Sequence, residues 1–143
     1  MKRFLHGLSS FLVLHLIIGC NPNPKNQEIE SPTGNVVIAD EPLELGGKDL
    51  GFSPNELLVS ALAACTNATL RMYADRKKWD LQEVRLEVEL DRDEKANKTV
   101  INRKLELLGN LDEKQRERLL AIAQACPVHK MLTNPIEINT EME

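Results

Sequence analysis

Aromatic side chains are scarce in this chain, which has one Trp, one Tyr and three Phe among 143 residues. A core must therefore be built from Leu, Ile, Val and Ala. Positive charge is not in excess either. The net charge of −4 at pH 7 would repel a phosphate backbone, which argues against nucleic acid as a partner. No internal repeat or low-complexity stretch occurs, and no Gly-rich phosphate loop or Ser-His-Asp arrangement can be assembled. No apolar run is long enough to cross a membrane as a helix. What remains is an ordinary globular composition, 42 % hydrophobic and 28 % charged, in a length that suits one domain.

The N-terminus differs from the rest. Lys2 and Arg3 precede an apolar run from Phe4 to Ile18, and no acidic residue appears before Glu28. The run has the length of a signal-peptide core. It ends in Ile17-Ile18-Gly19-Cys20, which resembles the lipobox of bacterial lipoproteins, and Asn21-Pro22-Asn23-Pro24 follows as a helix-breaking tether. Residues 1–20 are thus read as a lipoprotein-type signal segment, 21–26 as a tether and 27–143 as the domain. The implied place is the bacterial cell envelope, with Cys20 lipidated and the membrane reached through that anchor. If the segment is not a signal, a cytoplasmic location follows, and Cys20 becomes a buried cysteine of an N-terminal helix. Three cysteines is an odd number, and setting Cys20 aside leaves Cys65 and Cys126. A pair of cysteines alone does not separate a structural staple from a redox couple.

Periodicity outlines the domain. Gln27 to Ile38 reads as a hairpin around Ser31-Pro32-Thr33-Gly34-Asn35, and Asp40 to Phe52 reads as a Gly-rich loop. Ser53-Pro54-Asn55-Glu56 is a capping box with proline at the first helical position, opening a helix to about Lys78. Its first half has almost no polar face, so it belongs in the middle of a fold or in a subunit interface. Arg71, Arg76, Lys77 and Lys78 near its end suit the helix dipole. Val84, Leu86, Val88 and Leu90 alternate with charged residues as a half-buried strand, and Val100 to Leu108 is its expected antiparallel partner. Asp112 and Gln115 start a second helix whose apolar stripe runs Leu119, Ile122, Ala123, Cys126. Pro127 ends that helix or begins a short one through Leu132, and Ile136 to Ile138 is expected as a last strand. The order ββ-α-ββ-α-α-β predicts an α+β fold with helices on a largely antiparallel sheet.

Three stretches together resemble one family. Ala39-Asp40-Glu41-Pro42 with Leu45-Gly46-Gly47 is the first. Gly51-Phe52-Ser53-Pro54-Asn55-Glu56-Leu57-Leu58 leading to Ala63-Ala64-Cys65-Thr66 is the second, and Ala125-Cys126-Pro127-Val128-His129-Lys130 the third. The combination resembles the OsmC and organic-hydroperoxide-resistance (Ohr) family over about residues 27–143. The resemblance implies an intertwined homodimer around a long central helix. It also implies a peroxidatic role for Cys65 and a resolving role for Cys126. The first thiolate attacks a peroxide and becomes a sulfenic acid, and the second thiol condenses with it to a disulfide. An organic hydroperoxide is then the substrate, an external thiol the reductant, and no cofactor is called for.

The sequence departs from the peroxidase branch of that family at two places. Asn55 stands where a glutamate follows the proline, with Glu56 turned about 100° away around the helix. No arginine occurs between Arg3 and Arg71, where the branch takes one from its N-terminal strands. Glu56 and His129 are the candidate supporting residues. If Cys126 caps a helix starting at Pro127, the N–H groups of Val128 and His129 would stabilise a thiolate there, and the His129 ring would add a proton acceptor or a charge. Cys126 and His129 have metal-like spacing, but no third or fourth ligand accompanies them, so no metal is expected. The alternative function is a non-catalytic module of the same fold that binds an apolar small molecule at the dimer interface, with Cys65 as a small core residue.

Overall fold

The computed structural model describes the backbone of residues 17–19 and 27–142, and the side chains of 27–142. Cys20, read as the lipidation position, and residues 21–26, read as a tether, lie outside the described residues. The chain divides into two compact units, Met1–Pro54 and Asn55–Glu143.

In the first unit, β1 (Ile17–Gly19), β2 (Gln27–Glu30) and β3 (Val36–Ala39) form an antiparallel sheet in that order. The expected hairpin is β2–β3, closed by Ser31 and Asn35 through Ser31 N–H to the Asn35 carbonyl at 2.8 Å. Gly34 takes φ +80° at the turn, where a side chain would be strained. β1 pairs with β2 from Ile17↔Glu30 to Gly19↔Glu28, within the stretch read as signal segment. A mature chain beginning at Cys20 would lack β1.

The loop after β3 is organised by one carboxylate. Asp40 accepts the Glu41 amide at 2.9 Å through Oδ1, and the Lys48 and Leu50 amides at 3.0 and 3.1 Å through Oδ2. Asp40 thereby folds a 3₁₀ turn at Leu43–Leu45 back towards β3, and a bridge from Ala39 to Phe52 closes it. Gly47 permits the fold, since a Cβ there would fall 1.7 Å from the Glu41 carbonyl oxygen.

The second unit is helix α1 (Pro54–Lys77), the long hairpin β4 (Asp80–Asp93) and β5 (Lys98–Asn110), then α2 (Glu113–Ala123) and α3 (Pro127–Thr133). α1 buries Leu62, Thr66, Leu70 and Ala74, a stripe at every fourth residue. It ends at Lys77, and the φ of +54° at Lys78 lets the Trp79 amide close back on the Ala74 carbonyl at 2.9 Å. β4 and β5 pair in antiparallel register from Asp80↔Asn110 to Asp93↔Lys98, longer at both ends than the alternation alone predicted. The core joins Leu70 and Ala74 of α1, Leu81 of β4, Leu111, and Leu119 and Ala123 of α2. Arg116 secures the β5–α2 corner by donating to the carbonyls of Leu107 at 2.7 Å, and of Gly109 and Leu111 at 3.3 Å. The predicted capping box at Asp112 and Gln115 is formed in both directions.

Two expectations are corrected. The second helix does not run on to Cys126. It stops at Ala123, and the chain turns at Gln124 and Ala125 before α3. The reason is Pro127, whose ring disfavours helical backbone at the residue before it. Residues 136–138 form no strand. Ile136 and Ile138 are exposed, at 61 % and 83 %, and a strand needs an edge to pair with. The architecture remains α+β with antiparallel ladders and one long central helix.

Candidate functional site

Cys65 lies at the middle of α1, one residue before the buried Thr66. Cys126 occupies the N-cap position of α3 with extended-type backbone, φ −54° and ψ 132°, and is fully buried. Both are free thiols, and Cys65 is partly open to solvent. The corner between α2 and α3 brings Cys126 close enough to Cys65 for the two thiols to influence each other's ionisation.

The pair does not share charge equally. Burial, together with the hydrogen bond to Cys126, holds the Cys65 thiol above its ordinary value. The Val128 N–H and the Thr69 hydroxyl oppose this without reversing it. Burial also pushes Cys126 up. There the neighbouring donors, the Cys65 thiol first and then the His129 N–H, the Thr66 hydroxyl and the Val128 N–H, outweigh it, and Cys126 sits below its ordinary value. These are opposite halves of one arrangement, in which each sulfur affects how readily the other ionises. The Val128 amide serves both sulfurs.

The predicted supporting residues divide. His129 follows Cys126 in the first turn of α3, where its backbone N–H helps to lower that thiol's value, and its ring is half-buried. Glu56 is exposed in the first turn of α1, nine residues before Cys65 and about 13 Å away along the axis, so it is not brought to the sulfurs. A guanidinium does reach the site, from β5. Arg103 Nη1 donates to Thr66 Oγ1 at 2.7 Å, and that hydroxyl in turn bonds the Leu62 carbonyl at 2.7 Å. Sequence reasoning missed Arg103 and Thr66. The signal was there, since Ile101, Arg103, Leu105 and Leu107 occupy one phase of β5, and only Arg103 among them is charged.

A cavity of about 250 Å³ lies in the first unit, lined by residues that include Ala39, Asp40, Leu45, Gly47 and Pro54. Neither cysteine lines it.

A family model described as OsmC-like protein matches residues 46–141. The chain belongs to the OsmC-like protein family. Its fold is similar to a Psychrobacter arcticus 273-4 protein named for osmotic-stress induction and detoxification, at 21 % identity and TM-score 0.70, covering 90 % of this chain and 91 % of that one. An OsmC-like protein from Mycoplasma pneumoniae is also similar, at 22 % identity and TM-score 0.70, over 83 % and 86 % of the two chains. The organic hydroperoxide resistance protein OsmC of Legionella pneumophila matches at 25 % identity and TM-score 0.62, over 85 % and 90 %. No curated protein matches the sequence.

Proposed function

We propose that this protein reduces organic hydroperoxides with the Cys65–Cys126 pair. The observation that carries the reading is the contact of two free thiols, one open to an incoming molecule and the other buried and held towards its thiolate. The hydroperoxide class is supported by membership of the OsmC-like family and by the similarity to the Legionella pneumophila protein.

In the reaction, the Cys65 sulfur attacks the distal peroxide oxygen as its proton passes to the Cys126 thiolate. The O–O bond breaks, and the alkoxide leaves as an alcohol after taking that proton. Cys65 is then a sulfenic acid. The Cys126 thiolate attacks it, forming the disulfide and releasing hydroxide. Two electrons have moved from the sulfurs to the peroxide, and an external dithiol returns them by exchange.

The expected assay is consumption of cumene hydroperoxide with dithiothreitol. Wild type turns over, whereas Cys65→Ser falls to the uncatalysed background. Equal rates would end the proposal. Because the reactive form carries one thiolate, activity rises with pH through the lowered Cys126 value.

The assembly is proposed to be a homodimer. On α1, Leu58 and Met72 stay exposed at 41 % and 67 %, although the sequence made this helix apolar on nearly every face. Sedimentation at micromolar concentration checks the mass. The envelope location is proposed through lipidation of Cys20. A fatty-acid label should mark wild type and spare Cys20→Ala, and label retained in the variant refutes it.

A further inference from the structure

The only Trp and the only Tyr of the chain stand together at the end of α1. Trp79 meets Tyr73 edge to face with ring centroids 5.6 Å apart, and both pack against the cluster that holds Leu70 and Leu119. The core therefore fixes the two rings, while the Tyr73 hydroxyl stays at the surface. Three cations surround that phenol. Arg118 of α2 donates from Nε to its oxygen at 3.0 Å and lies 5.7 Å from the ring centre. Lys77 places its ammonium 6.0 Å from the same centre. The phenol is held below its ordinary value, first by the Arg118 hydrogen bond, with burial opposing and the charges of Arg118, Lys77 and Arg76 adding to it.

The helix dipole accounts for Arg76 and Lys77 in the last turn of α1. It does not account for Arg118, which comes from the middle of α2 and reaches the same phenol only through folding. Cations gathered at one spot repel one another, and an anion among them relieves that repulsion. The protein does not supply the anion. The ion pairs among the described residues use Arg85 and Lys104, and none uses Arg76, Lys77, Lys78 or Arg118. Arg71 to Lys78 carries four cations and one carboxylate, Asp75, in a chain of net charge −4. Asp80 is engaged by the Gln82 amide at 3.3 Å and the Asn110 N–H at 3.4 Å, and Glu113 and Glu117 of α2 are exposed. The Tyr73 hydrogen, the Nη groups of Arg118 and the Lys77 ammonium have no hydrogen-bond acceptor among the described residues.

We propose that this cluster is a contact site for an anionic phospholipid surface, with Arg118, Lys77 and Tyr73 holding a phosphate headgroup and Trp79 beside them at headgroup depth. The donors set the class of anion. A guanidinium fork, an ammonium and a phenol hydrogen match the oxygens of a phosphate. The Trp–Tyr pair selects a bilayer among phosphate carriers, because the amphipathic rings of these two residues favour the boundary between water and hydrocarbon. A nucleic acid extends beyond so small a patch and would meet a chain that is negative overall. The contact is separate from the lipid proposed on Cys20 and from the thiol pair, and it requires neither.

The test uses the full-length chain carrying Cys20→Ala, so that no acyl anchor contributes. It is mixed with vesicles of phosphatidylcholine containing phosphatidylglycerol, or of phosphatidylcholine alone. Sedimentation with the vesicles measures partitioning, and Trp79 emission reports whether the cluster itself meets the bilayer, since the chain has no other Trp. The anionic vesicles are expected to carry the chain down at low ionic strength and to move Trp79 emission to the blue, and added salt reverses both. Lys77→Gln and Arg118→Gln should each weaken partitioning about fivefold. Lys104→Gln, the same charge change on the exposed side of β5, should leave it nearly unchanged. Sedimentation without a Trp79 shift, the result if the basic and apolar stretch before Cys20 did the binding, overturns the proposal. So does an equal loss in Lys104→Gln, or no partitioning onto the anionic vesicles. A Trp79 shift produced by inorganic phosphate alone, at matched ionic strength, makes the cluster a free-anion site and overturns the bilayer contact. If Arg118→Gln does not fold, Lys77→Gln against Lys104→Gln decides by the same measurements.

Discussion

The two units of the chain are held together differently. From Asn55 onward, cohesion comes from a packed apolar cluster, with Leu70, Leu119 and Ala123 fully removed from solvent. Up to Pro54 the one buried hydrophobic residue described is Ala39, while Val36, Ile38, Leu43, Leu45, Leu50 and Phe52 are exposed. There the chain is shaped by backbone ladders and by the amides gathered on Asp40. The contrast shows that one short chain can build one region by burial and another by hydrogen bonding. The first resists local opening and the second opens readily, because exposed hydrogen bonds contribute little net stability.

The largest expected effect breaks the packed unit. Leu119→Ala should cost about 2–5 kcal/mol in chemical denaturation, since the Leu119 side chain is fully buried in the cluster. A loss under 1 kcal/mol would mean that the cluster is not the source of cohesion.

Asp40→Ala probes the other unit. It removes the acceptor for three amides and should cost about 1–3 kcal/mol, confined to the loop. Hydrogen exchange should quicken at Lys48 and Leu50 and stay unchanged in α1. Faster exchange throughout would show that the two regions unfold as one.

Asp112→Ala returns to the packed unit at lower stakes. Loss of the cap should cost about 1 kcal/mol, read as a lower denaturation midpoint with unchanged slope. Lys104→Ala is the smallest. Its pair with Glu87 spans 3.2 Å between exposed side chains, so stability should move by about 0.5 kcal/mol or less. A larger loss would mean that the outer face of β4–β5 is covered in solution.

Much of this fold was legible in the chain because its signals are local. Pro54 at the start of α1, the capping box at Asp112 and the alternation in β4 each act within a few residues, and each appeared where expected. The last strand was not legible. Ile136 to Ile138 has strand composition, but a strand exists only where an edge is offered, and that is a long-range fact.

The thiol pair shows the same division. Two cysteine motifs were visible in the sequence, and family resemblance coupled Cys65 with Cys126. Which sulfur is buried, and how the two thiols shift each other's ionisation, came from the α2–α3 corner. Arg103 is the clearest case. Its phase in β5 was written in the sequence, but its partner Thr66 is 37 residues away. The sequence by itself determined the helices, the hairpins and the presence of two candidate thiols, because propensity and periodicity act along the chain. Tertiary structure alone decided how the two thiols affect each other, because ionisation depends on groups that only folding brings together.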